Sequence, residues 1–132
     1  MKFLVCYNGS AASKKVLNIA LQEAKAFHAS LFIVTALEQS EALTKEEIDR
    51  SEVRLENLCA DLKTEHLAVE SRVLVSLASP GEGLVQFAKE NEVDKIFIGI
   101  EKQSKVGKLV FGSTAQYVIL KAPCPVVTTR EM

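Results

Sequence analysis

Short apolar runs and amphipathic stretches alternate along the whole chain. Phe3 to Tyr7 is a continuous apolar run that stops at Asn8, Gly9 and Ser10, a turn cluster. A run of that length suits a strand covered on both faces. Val16, Leu17, Ala20, Leu21, Ala24 and Phe27 then recur at the i, i+3, i+4, i+7 spacing of an amphipathic helix, with Ser10 as its N-cap. Leu31 to Leu37 (LFIVTAL) predicts a second buried strand. A polar connection leads to Thr44, Lys45, Glu46 and Glu47, a capping-box pattern, after which Ile48, Leu55, Leu58 and Leu62 mark a second helical stripe.

The stretch from Val69 to Leu77 behaves differently. Val69, Val73, Val75 and Leu77 share one face while Glu70, Arg72 and Ser76 take the other, which predicts a half-exposed edge strand. Ser79, Pro80 and Glu82 occupy the N-cap, N1 and N3 places of a third helix, whose buried face is Leu84, Val85 and Ala88. Lys95 to Gly99 predicts a fourth strand ending in glycine. A polar, lysine-bearing segment follows from Ile100 to Lys108, and Gly112 with Ser113 opens a fourth helix through Leu120. Pro123 and Pro125 break that helix, and Val126 to Thr129 forms a last short strand.

Five strands separated by four helices is the rhythm of a parallel, doubly wound α/β sheet with helices on both faces. Right-handed crossovers and the edge character of the third strand favour the order 3-2-1-4-5 in one domain spanning residues 1–132. Strands 1 and 4 then flank the point where winding reverses, and ligands of open α/β sheets sit outside the carboxyl ends of the strands there. The segments at that crevice are Asn8–Ala12 and Gly99–Ser113.

Composition narrows the function. The chain has 132 residues, 48% hydrophobic and 25% charged, which places it among ordinary globular proteins. Its 16 basic and 17 acidic residues nearly cancel, so no global field points to nucleic acid or an anionic membrane. Cys6, Cys59 and Cys124 lack CxxC spacing, which points to reduced thiols rather than a disulfide framework or zinc site. With no cleavage site after the N-terminal run and no apolar stretch near the roughly 20 residues that cross a bilayer, the expectation is a soluble, cytoplasmic protein.

The stretch from Gly99 to Ser113 reads GIEKQSKVGKLVFGS. Gly99 and Gly107 allow tight backbone turns, and Gly112–Ser113 stands where a helix N-terminus presents free N–H groups. Such a terminus binds phosphate through those donors and the positive end of the helix dipole. Lys102, Lys105 and Lys108 add positive charge, offset by Glu101. The same residues also describe a plain solvated loop whose Ser113 only caps the helix.

The turn Asn8-Gly9-Ser10, the run of Gly99, Lys102, nine further residues and then Gly112-Ser113-Thr114, and the stretch Ala122 to Val126 resemble the universal stress protein family over essentially the whole chain. The resemblance implies a five-stranded α/β fold, usually dimeric, in which some members bind ATP and others do not, divided by a motif G-xx-G-x9-G-(S/T). It makes Gly99, Gly112, Ser113 and Thr114 elements of a phosphate site. It also puts Ala36 where such members contact adenine through the main chain, and Asn8 in the place of an aspartate near the ribose and phosphates. Two positions depart from the pattern. Lys102 replaces the second glycine and can either crowd the phosphates or neutralise them. Asn8 keeps hydrogen-bonding capacity without the negative charge.

His28 and His66 follow helices and are expected at solvent-facing helix ends. Cys6 and Cys59 are expected in the core, and Cys124, between two prolines, in a structural place. The acidic stretch around Glu38, Glu41, Glu46 and Glu47 reads as solvated. No catalytic spacing appears. The sequence therefore supports a regulatory module binding an adenine nucleotide, ATP first, with Mg2+ arriving on the nucleotide and at most slow hydrolysis. The expected assembly is a homodimer through Val126–Thr129, with no nucleic-acid or membrane partner. The alternative is a nucleotide-free dimeric interaction protein of the same fold.

Overall fold

The computed structural model describes residues 1–101 and 112–130. Among them the elements run β1 (Lys2–Cys6), α1 (Ala11–Phe27), β2 (Ser30–Glu38), α2 (Lys45–Lys63), β3 (Val69–Ser76), α3 (Pro80–Glu90), β4 (Lys95–Ile100), α4 (Ser113–Lys121) and β5 (Val126–Arg130). The strands form one parallel sheet in the order β3-β2-β1-β4-β5, as the sequence predicts. Central β1 pairs with β2 in the register Cys6 to Val34 and with β4 in the register Cys6 to Ile98.

The apolar runs are continuous because both faces of the sheet are covered. Phe3, Val5 and Tyr7 of the first run join Leu31, Ile33 and Phe97 beneath α1 and α2. Leu4 and Cys6 point the other way and join Val34, Ile96, Ile98 and Ile100 beneath α3 and α4. Leu55, Cys59 and Leu62 are the buried side of α2, and Leu84, Val85, Phe87 and Ala88 that of α3.

Three expectations change. Phe27 belongs to the apolar stripe of α1 by spacing but is 56% exposed, because α1 ends there, past the sheet, with Lys95 Nζ 5.9 Å from its ring centre. On β3, Val69 is buried, yet Val75 is exposed and Leu77 is 93% exposed beyond the end of the strand. Leu74 instead packs on the opposite face, so this edge strand is partly covered on both sides. β4 and β5 each run one residue further than expected, through Ile100 and Arg130.

His28 and His66 are exposed, and both have positive φ, 53° and 62°. His28 is the left-handed C-cap of α1, its N–H donating to the Ala24 carbonyl. Among the described residues, no helix is long and apolar enough to cross a membrane.

Candidate functional site at the carboxyl ends of β1 and β4

Beyond β1 the chain is held to a narrow path. Tyr7 N–H donates to the Val34 carbonyl at 2.9 Å, and the Tyr7 carbonyl accepts from the buried Thr35 hydroxyl. Asn8 then turns the chain, its Oδ1 accepting from Ser10 N–H at 3.0 Å in an Asx turn. Gly9 has φ +82°, which glycine alone adopts without strain. Arg54 of α2 lies across this turn, Nη1 being 3.4 Å from the Asn8 carbonyl. Ser10 Oγ accepts from Ser13 N–H at 3.1 Å and caps α1, while the buried Ser13 hydroxyl donates to the Ser10 carbonyl at 2.9 Å.

At the end of β4, Glu101 Oε1 accepts from Asn8 Nδ2 at 2.9 Å. One side-chain bond thus ties together the two strand ends between which the winding reverses.

The third wall is the start of α4. In α1, α2 and α3 the N-cap hydroxyl of Ser10, Thr44 or Ser79 accepts from the N–H three residues on. The N-cap of α4 is Gly112, which has no side chain to do so. The N–H groups of Ser113, Thr114 and Ala115 have no intrahelical acceptor, as in any first turn, and these three residues line the cleft at the positive end of the helix dipole.

These walls enclose a cleft of about 390 Å³, with Cys6, Val34 and Ile98 on its floor and Pro80 and Leu84 of α3 along one side. Asn8, Ala36, Gly99, Gly112, Ser113 and Thr114, all singled out from sequence, line it together. Lys102, the seventh, lies outside the described residues. Gly99 is not at a turn. It lies inside β4, and a Cβ there would come within 2.5 Å of the backbone carbon of Ala12. At Gly112 the φ is an ordinary −62°, and a Cβ would meet nothing within 4 Å among the described residues.

The family model of the universal stress proteins matches residues 1–130. The chain belongs to the universal stress protein family. A universal stress protein of Thermus aquaticus is 31% identical over 132 residues, covering 96% of each chain. A universal stress protein structure from Archaeoglobus fulgidus aligns with a TM-score of 0.82 at 30% identity, covering 97% of this chain and 92% of that one. Another structure from that organism, in complex with dAMP, aligns with a TM-score of 0.77 at 28% identity, covering 96% of this chain and 94% of that one.

In this universal stress protein the described cleft offers hydrogen bonds rather than an acid–base pair. Glu101 carries the one full charge among the described lining residues. Burial pushes the Cys6 thiol up to about 12, so at neutral pH it is a protonated floor residue and a poor nucleophile. Burial also raises Cys59, and it raises Cys124 with a smaller contribution from nearby Asp94.

In the sequence alone Glu101 has no role beyond offsetting the lysines, and nothing there places Pro80 or Leu84 at the site. No local pattern marks the bond from Glu101 to Asn8, which joins residues 93 positions apart. Pro80 and Leu84 reach the cleft only because α3 packs on the same face of the sheet as α4.

Proposed function

We propose that this universal stress protein is a regulatory module that binds an adenine nucleotide, ATP in the first place, and passes its bound state to a partner protein. The observation that carries the reading is the meeting of six sequence-selected residues in one cleft with a helix N-terminus that, among the described residues, no side chain caps. The glycine at 112 supports it. Neither its φ nor packing among the described residues requires glycine, whereas open space beside free N–H groups is what a phosphate oxygen needs. The relative solved with dAMP supports the ligand class.

In this reading Gly112, Ser113 and Thr114 hold the phosphates and the main chain at Ala36 meets the adenine. The ribose crosses the ends of β1 and β4 near Asn8. Gly99 serves by letting α1 approach β4 and set the width of the cleft, and Lys102 acts on the phosphates. Mg2+ would enter with the nucleotide and supply charge neutralisation on the phosphates. Glu101 is a single carboxylate on this lining, too few oxygen ligands to hold the ion alone.

The dimer belongs to the same reading. Among the described residues β5 is an edge of the sheet, paired only with β4, and its outer backbone groups suit antiparallel addition of a second β5.

Two measurements test the nucleotide reading. Calorimetry on the purified chain should show saturable ATP binding at one site per chain, and chromatography of denatured protein should release any adenine nucleotide carried through purification. No bound nucleotide and no ATP heat would sink it and leave the nucleotide-free interaction module.

A further inference from the structure

The Asn8–Glu101 pair has spare hydrogen-bonding capacity of two opposite kinds. Asn8 Oδ1 is used by Ser10 N–H and one Nδ2 hydrogen by Glu101 Oε1. Among the described residues, the second Nδ2 hydrogen and Glu101 Oε2 are not engaged. The pair therefore presents an anionic acceptor beside a neutral donor, both on the lining of the cleft.

Several ligand groups fail to match this arrangement. A phosphate is repelled by the carboxylate, and a metal ion finds one carboxylate and one amide nitrogen where it wants several oxygens. A vicinal diol matches it, since one hydroxyl can donate to the carboxylate while the other accepts from the carboxamide.

Position selects the same group. Across the sheet the order is β2, β1, β4, so Ala36, Asn8 and Glu101 follow one another at the strand ends, and the start of α4 lines the same cleft. A nucleotide with its base at Ala36 and its phosphates at α4 must lay its sugar over the middle of that row.

We infer that Asn8 and Glu101 read the 2′,3′-diol of the ribose and make the cleft selective for ribonucleotides over 2′-deoxyribonucleotides. This inference rests on the nucleotide reading above. Glu101 is the specificity-determining residue: its free oxygen accepts the 2′-hydroxyl proton in a charge-assisted hydrogen bond, while its other oxygen holds Asn8 in place.

Calorimetry with ATP and 2′-deoxy-ATP on the parent, Glu101→Gln and Glu101→Ala chains tests it. The parent should bind ATP about tenfold or more tightly than the deoxy ligand, the scale of a hydrogen bond to a charged group. Glu101→Gln should shrink the ratio to about threefold, a neutral bond being roughly half as strong. Glu101→Ala should bring it to about one, because a charge effect on the phosphates acts on both ligands equally and leaves the ratio alone. A parent that binds both ligands equally well overturns the inference and leaves the nucleotide reading standing. So does a Glu101→Ala change that weakens both by one factor, which is what a purely structural residue would give. A parent that binds neither overturns both readings.

Discussion

Gly99 and Ala12 touch through their backbones: a Cβ on residue 99 would lie 2.5 Å from the Ala12 carbonyl carbon and 2.6 Å from its oxygen. The first turn of α1 passes directly over β4 at this point, and backbone cannot give way as a flexible side chain can. Gly99→Ala should therefore destabilise the fold by about 1–3 kcal/mol, the cost of overpacking. Chemical denaturation checks this. An unchanged midpoint would mean that α1 shifts freely and does not set the width of the cleft.

Gly112 should behave in the opposite way. Its backbone is extended at φ −62° and ψ 152°, and among the described residues nothing stands within 4 Å of the missing Cβ. Gly112→Val should change stability by no more than about 1 kcal/mol, the backbone-entropy gain partly offsetting the poorer cap. It should abolish ATP binding, because the side chain fills the space beside the α4 N–H groups. Melting curves and calorimetry on one preparation separate the two effects, and a Val variant that binds ATP as the parent does would contradict the phosphate position.

The Cys6 thiol makes stability depend on alkaline pH. Burial holds it protonated up to about 12 in the folded chain, whereas the unfolded chain releases the proton near 9. Above pH 9 the unfolded state binds fewer protons, so stability falls as pH rises, by about 1.4 kcal/mol per pH unit for one group. This contribution is fully present below pH 9 and is lost progressively towards pH 12. Urea titrations between pH 8 and 10.5 should give a shallower decline for Cys6→Ala than for the parent. Parallel declines would place the alkaline loss in other groups.

His28 occupies a left-handed conformation, φ 53° and ψ 42°, at the end of α1. A side chain there costs about 1–2 kcal/mol, part of which glycine returns to a more flexible unfolded state. His28→Gly should stabilise the chain by about 0.5–1 kcal/mol, and His28→Val should destabilise it by about 1 kcal/mol or more. Thermal melts of the two variants should move in opposite directions. Both moving down would give the imidazole a packing role.

The homodimer has a direct test. Light scattering at tens of micromolar should report twice the 14.5 kDa chain mass. A monomer at that concentration, or a dimer in which β5 stays accessible to hydrogen exchange, would remove the edge-strand assembly.

The sequence by itself determined the element order, the sheet order and most of the cleft, because each rests on local signals. Apolar runs at Phe3–Tyr7 and Leu31–Leu37 dictate buried strands, helical spacing dictates the stripes of α1 and α3, and the turn residues Asn8 and Gly9 dictate where β1 ends. Once the strands are ordered, the switch point brings Asn8, Ala36, Gly99 and Gly112 together. Only the tertiary structure decided what each residue does there. Gly99 is required by the backbone of Ala12, not by a turn, and Glu101 holds Asn8 across 93 positions of chain. Leu77 keeps the apolar period of β3 yet stands 93% exposed. A periodic pattern records which side chains could share a face. Whether anything covers that face, or which backbone passes over it, depends on contacts between residues far apart in sequence, and no local pattern carries that information.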